Sequence, residues 1–183
     1  MNEGVIYSIE EHQHRHVAWS SATSARASKL CRFSVEVGVA ILESSGFVPA
    51  FSTPEQLPLP EELDAKHADW RHVVIQAAET HGLVFSHGIA AKLINCYLKG
   101  RFVNAGHHEH PQVAVLHPPI DRLLLKALAD ENVGGCRRAW RRLEKRGWSK
   151  FTSEDYQEVI DLIRQVMPGQ PLWKIEQYWR GFQ

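Results

Sequence analysis

The stretch EELDAKHADWRHVVIQAAETHG, residues 61–82, decides the fold. Leu63, Trp70, Val73, Val74, Ala77 and Ala78 recur at spacings of three, four and seven, which stacks them on one face of a helix, and Gly82 supplies its stop. A strand would need apolar residues at every second position, and strong alternation of that kind is absent throughout the chain. The next segment, GIAAKLINCYLKGRF, residues 88–102, repeats the helical period. It sets Ala90, Leu93, Ile94, Tyr97 and Leu98 on one face and Lys92, Asn95 and Lys99 on the other.

Outward from these two helices, the punctuation is helical at both ends. Residues 1–18 read as an extended arm, followed by a helix over SSATSARASKLCRF (residues 20–33), capped by Ser and Thr, and another over SVEVGVAILESSG (residues 34–46), ended by Gly46. Four prolines between residues 49 and 60 exclude a helix interior and make that segment an extended connection. Downstream, helices are expected from Asp121 to the NVGG stop, over about 136–146 with Gly147 as stop, from the Thr152 and Ser153 caps through Val166, and over PLWKIEQYWRG. In the last of these the aromatics Trp173, Tyr178 and Trp179 are spaced to seal a core. The expectation is an all-α, single globular domain of about eight short helices over residues 1–183, arranged as an orthogonal array.

Composition narrows the function without choosing it. Twenty-one Lys and Arg balance twenty-one Asp and Glu, so net charge gives no argument for a polyanionic partner. Cys31, Cys96 and Cys136 lack the C-x-x-C spacing of a zinc or iron–sulfur site, and their odd number suits a reducing cytoplasm. No stretch has membrane-spanning length, and MNEGVIYSIEEHQHRH lacks the basic and apolar regions of a secretory signal.

Three constellations can carry chemistry. In HGIAAKLIN, Lys92 lies in the first turns of a helix, where the positive end of the macrodipole and desolvation would prepare an amine nucleophile. Asp121 follows two prolines in LHPPIDRLLLKAL, where it can cap a helix or, equally, partner Lys92. In CRRAWRRLEKRGWSK, Arg137, Arg138, Arg141, Arg142, Lys145, Arg146 and Lys150 stand against Glu144 alone, with Trp140 and Leu143 left for the core. Such a helix could neutralise phosphates or be paired with the acidic runs at 61–69 and 154–161. Finally, GHHEHP and the following loop offer His107, His108, His110 and His117, a candidate polar or metal site, and His12, His14 and His16 alternate as they would on one side of an extended chain. His117 stands close enough in sequence to hydrogen-bond Asp121.

Gly88, Ile89 and Lys92, with Pro119, Ile120 and Asp121, resemble the two motifs of the helix-hairpin-helix DNA glycosylases: a glycine-bearing hairpin that ends in a lysine helix, then Pro-Val-Asp at the head of another helix. Ala90 stands where the hairpin's second glycine is usual. The resemblance implies that Lys92 attacks the sugar carbon as a damaged base leaves, that Asp121 stabilises the cationic sugar or moves protons, that Gly88 and the basic helix hold duplex DNA, and that no cofactor is needed. Across nearly the full chain, blocks such as HGIAAKLINCYLKGRFV and LHPPIDRLLLKAL also resemble a family of uncharacterised bacterial proteins, which brings no activity with it. A non-enzymatic nucleic-acid- or protein-binding module and a His-rich metal-binding protein remain the alternative readings.

Overall fold

The computed structural model describes residues 7–26, 28, 30–47 and 51–181. Among them the chain forms eight α-helices, one π-type segment and several short 3-10 turns, with no strand. The helices are α1 (Ile9–Ala25), α2 (Val35–Ser44), α3 (Leu63–Glu79), α4 (His87–Leu98), α5 (Pro111–Ala114), α6 (Arg122–Asp130), α7 (Arg137–Arg146) and α8 (Ser153–Val166). The all-α expectation holds. No helix among the described residues is long and apolar enough to cross a membrane.

The fold is organised around α4. It packs against α1, α2, α3, α8 and the 3-10 turn Trp148–Lys150, so that nearly its whole circumference is buried. Sequence periodicity had turned Lys92 and Asn95 away from the core, yet both are buried. A helix enclosed on all sides has no solvent face, and polar side chains placed on it must find partners inside the protein. Against this centre, α6 and α7 pack as a pair, and the C-terminal 3-10 segment Leu172–Tyr178 closes over α6 and α8. One continuous apolar core runs from Val17 and Ile41 through Leu93, Leu124 and Trp140 to Ile175.

The N-terminal third departs most from expectation. Residues 9–18 are helical and not an extended arm, because Ser8 accepts the Glu11 N–H at 3.1 Å and opens α1. That helix ends at Ala25, so Leu30–Phe33 lie outside any helix. On α1, His12 and His16 lie four positions apart on one side, and His14 projects from the other, turning inward to Tyr97 (3.1 Å) and Glu43 (3.0 Å). Elsewhere the proline-rich connection, of which residues 49 and 50 lie outside the described residues, contains a 3-10 turn at Pro54–Gln56 closed by a Thr53–Gln56 capping box. The short helix α5 lies within VNAGHHEHPQVAVLHPP (residues 103–119), which was expected to be a loop, and the last element is 3-10, not α.

Candidate active site

Lys92 and Asp121 meet. Their Nζ and Oδ2 atoms are 3.1 Å apart, although the residues stand 29 positions apart in sequence. Each partner is fixed by its own element. Ser86 caps α4 by accepting the Ile89 N–H at 3.1 Å, which places Lys92 in the second turn. Asp121 caps α6 through Oδ1, which accepts the Leu124 N–H at 2.9 Å. The two readings of Asp121, cap and lysine partner, are thus both correct, one for each carboxylate oxygen. Oδ2 also accepts the indole N–H of Trp179 at 3.0 Å. The Lys92 ammonium lies 5.9 Å from the ring centroid of Trp148, so an aromatic face borders it on the other side.

This pair stands between two clefts. The first, of about 310 Å³, is walled by α1 and reaches from Asp121 past Lys92 and Cys96 to Lys99 and Glu176. Lys99 and Glu176 form a second ion pair there. Burial pushes the Glu176 carboxyl above the usual range, with Lys99 pulling in the opposite direction. The second cleft, of about 670 Å³, opens beyond Trp148 and is lined by Leu30, Leu123, Arg122 and Lys150. Lys92, Asp121 and Trp179 line both.

Behind the pair runs a buried polar chain that sequence reading missed. Arg71 can only donate and ionised Asp64 can only accept, so the two ends fix every proton between them. Arg71 donates to His67 Nδ1 (2.8 Å), leaving Nε2–H to donate to Asn95 Oδ1 (2.7 Å). The Asn95 amide donates to the Pro118 carbonyl (3.0 Å) and to the Tyr156 hydroxyl (2.9 Å). Tyr156 donates to His117 Nδ1 (3.0 Å), and His117 Nε2–H donates to Asp64 (2.9 Å). Arg164 grips both oxygens of Asp64, at 2.6 and 2.7 Å, and these bonds hold that carboxyl well below the usual carboxylate range. Burial keeps His67 and His117 below their ordinary pKa and raises the Tyr156 phenol.

The signal for this chain was present in α3. Its buried stripe is Leu63, His67, Arg71, Val74 and Ala78, a regular series at spacings of three and four, while Val73 is exposed. Reading only apolar residues as the core face shifted the stripe and hid His67 and Arg71. Likewise, His117 bonds Asp64 and Tyr156 and not Asp121, because its ring turns toward α3 and α8.

The remaining expected residues are placed as follows. Gly88 is buried against the protein itself: a Cβ there would stand 1.7 Å from the Trp148 carbonyl oxygen. That close approach shuts the turn expected to meet a phosphate. On α7, Trp140 and Leu143 are buried as expected. Most of its cations have protein partners: Arg137 donates to the Ala129 carbonyl (3.2 Å) at the end of α6, Arg141 pairs with Asp130 and Glu144, Arg142 with Glu158, and Arg146 with Asp155. The acidic 154–161 run thus supplies two of those partners. Arg138 and Lys145 have no ion pair among the described residues, and neither do Arg122 and Lys150. His107, His108, His110 and His117 do not converge: His110 caps α5, His108 packs edge-on against Trp173, and His117 belongs to the buried chain. Among the described residues no three His, Cys, Asp or Glu side chains form a group able to hold a metal ion.

No protein-family model matches the chain, and no curated protein or solved structure shows significant similarity to it.

Proposed function

We propose that this protein is a DNA base-excision enzyme of the glycosylase and lyase type, with a helix-hairpin-helix architecture in which α3, the connection over residues 80–86 and α4 form the hairpin unit. The observation that carries the reading is the meeting of Lys92 Nζ with Asp121 Oδ2 at the junction of two clefts. A primary amine beside a helix-capping carboxylate, reached from solvent on two sides, has the groups needed for attack on a sugar carbon.

In this mechanism Lys92 gives up a proton, for which Asp121 is the adjacent acceptor, and its nitrogen lone pair forms a bond to C1′. The glycosidic C1′–N bond breaks, and its electron pair leaves with the base, which takes the proton that Asp121 received and so returns Asp121 to its charged form. The Asp121 carboxylate offsets positive charge developing on the sugar. The C1′–O4′ bond then breaks, with a proton passing to O4′, to give an imine between Lys92 and C1′; removal of a C2′ proton forms a C2′–C3′ double bond, expels the 3′-phosphate and nicks the strand. The target base must leave the duplex to reach the amine, and the paired clefts on either side of Lys92 divide the site between base and backbone. Arg122 and Lys150, which line the larger cleft, are the first cations to meet phosphate, with Arg138 and Lys145 extending them; Arg137, Arg141 and Arg142 contribute only by exchanging their present partners.

The decisive experiment is borohydride trapping on duplexes containing uracil, oxidised guanine, alkylated adenine or an abasic site, with Lys92→Ala alongside. A covalent adduct that requires Lys92 is the expected result. If no duplex yields an adduct or a released base, the enzymatic reading falls. A second reading, a non-enzymatic helical module that binds nucleic acid or protein, is favoured by Gly88 and Ala90, since a hairpin glycine covered by the Trp148 carbonyl and a buried alanine leave no open backbone for a phosphate. Salt-sensitive duplex binding without chemistry would favour it.

A further inference from the structure

Lys92 and Lys99 stand seven positions apart along α4 and its continuation, and each meets a carboxylate across the smaller cleft: Asp121 for the first and Glu176 for the second. Two ammonium groups and two carboxylates cancel, so this cleft has no surplus cation with which to hold a phosphate or a carboxylate ligand. It suits a neutral molecule that offers both donors and acceptors. At about 310 Å³ it matches the lower end of small-molecule sites, roughly 300 Å³ and upward.

The far pair is only half used by the protein. Glu176 Oε2 accepts from Lys99, whereas Oε1 has no hydrogen bond from the described residues, and the Glu176 side chain keeps 16% of its surface exposed. An ammonium can donate three hydrogen bonds, and Lys99 makes one of these to Glu176. An acceptor oxygen and spare N–H donors therefore stand side by side in the cleft that also contains Lys92. Ser20 and Asn104 add uncharged polar groups to the same lining.

Resting on the base-excision reading, we infer that Lys99 and Glu176 form a base-reading pair, selecting bases whose edge carries a lactam, an N–H directly beside a C=O. Of the two common heterocycle edges, a lactam offers the more acidic N–H to a carboxylate and a carbonyl oxygen to an ammonium, and charge-assisted hydrogen bonds reward both. The amidine edge of adenine or cytosine offers an exocyclic amine and a ring nitrogen, weaker partners for the same two groups. Hypoxanthine, guanine and uracil belong to the favoured class.

The test compares bases of equal shape, methylated at the nitrogen that carries the sugar so that they differ only in this edge: hypoxanthine with adenine as their 9-methyl derivatives, and uracil with cytosine as their 1-methyl derivatives, each titrated into the full chain at up to millimolar concentration and followed by ligand-observed NMR. Hypoxanthine and uracil should bind at least about tenfold tighter than adenine and cytosine, and Glu176→Gln should abolish most of that preference. Lys99→Met provides a second variant, and circular dichroism verifies that each is folded; should both unfold, the preference in the parent protein decides. Equal affinity within each pair, tighter adenine, no binding of any base, or a preference unchanged in a folded variant would overturn the assignment. The two proposals separate cleanly. Edge-selective binding without a trapped adduct leaves this inference standing and removes the enzyme, whereas a Lys92-dependent adduct without edge selectivity does the reverse.

Discussion

The amide of Asn95 donates to the carbonyl of Pro118 at 3.0 Å, one helical turn beyond Lys92 and three residues before Asp121. This bond ties the helix that holds the amine to the loop that holds the carboxylate. The same side chain accepts from His67 and donates to Tyr156, so both halves of the amide are committed inside a site that excludes water. Asn95→Ala would strand the His67 N–H, the Pro118 carbonyl and the Tyr156 hydroxyl together. The expected loss is about 2–4 kcal/mol, the usual cost of breaking a buried network. Urea denaturation measures it, and an unchanged midpoint would mean that the chain contributes no stability.

Lys92 and Asp121 should respond unequally to truncation. Lys92→Met keeps the buried stem and leaves the carboxylate with the Leu124 and Trp179 N–H donors, for a cost below about 1 kcal/mol. Asp121→Ala removes the α6 cap and leaves an ammonium and two N–H groups without their acceptor, for about 2–3 kcal/mol. Thermal melting of both variants gives the order, and a larger loss for Lys92→Met would assign the lysine a structural role instead.

Gly88→Ala probes the close approach of α4 to the Trp148 carbonyl. With its Cβ 1.7 Å from the Trp148 oxygen, the new methyl would meet backbone and not a side chain that can swing aside. The 148–151 segment must move, at a cost of at least about 3 kcal/mol. Since Trp148 borders both Lys92 and the larger cleft, any soluble variant should also show altered tryptophan fluorescence.

Stability should fall as the solution is acidified through pH 6. His67 and His117 are held below their ordinary value of 6.5, so below that pH the unfolded chain takes up protons that the folded chain refuses. Each contributes a loss of up to about 1.4 kcal/mol per pH unit. Asp64, with a depressed pKa, adds a second loss below its ordinary 3.8, where the unfolded carboxylate is protonated first. Glu176, with a raised pKa, acts in the opposite sense above 4.5 and softens the slope. Melting temperatures between pH 8 and 5 check this, and a flat profile would show that the histidines are not buried as neutral rings.

For DNA binding, charge reversal at Arg122 and Lys150 should weaken duplex affinity and lower the slope of log affinity against log salt by about one for each phosphate that is no longer neutralised. Reversal at Arg142 should chiefly cost stability, since it sets two carboxylates together at Glu158. Fluorescence anisotropy at several salt concentrations distinguishes them; equal effects at the two sets would return the interface to the arginine helix.

The amino-acid sequence by itself determined the helical class, the positions of α2, α3, α4, α6, α7 and α8, and the candidacy of Lys92 and Asp121, because caps, stops and period are local properties of the chain. The start of α1 was equally local, in Ser8 and Glu11, and was missed in favour of an extended arm. Tertiary structure alone decided the rest. Enclosure of α4 on every side buried Lys92 and Asn95, which amphipathic reading had turned to solvent, and the partners that make such burial tolerable come from α3, α8 and the Pro118 loop, remote in sequence. The same packing covered Gly88 with the Trp148 carbonyl, drew His117 to Asp64, and brought Glu176 to the cleft of Lys92. Periodicity specifies which face of a helix is apolar; whether a polar residue on another face meets water or a buried partner depends on what packs there.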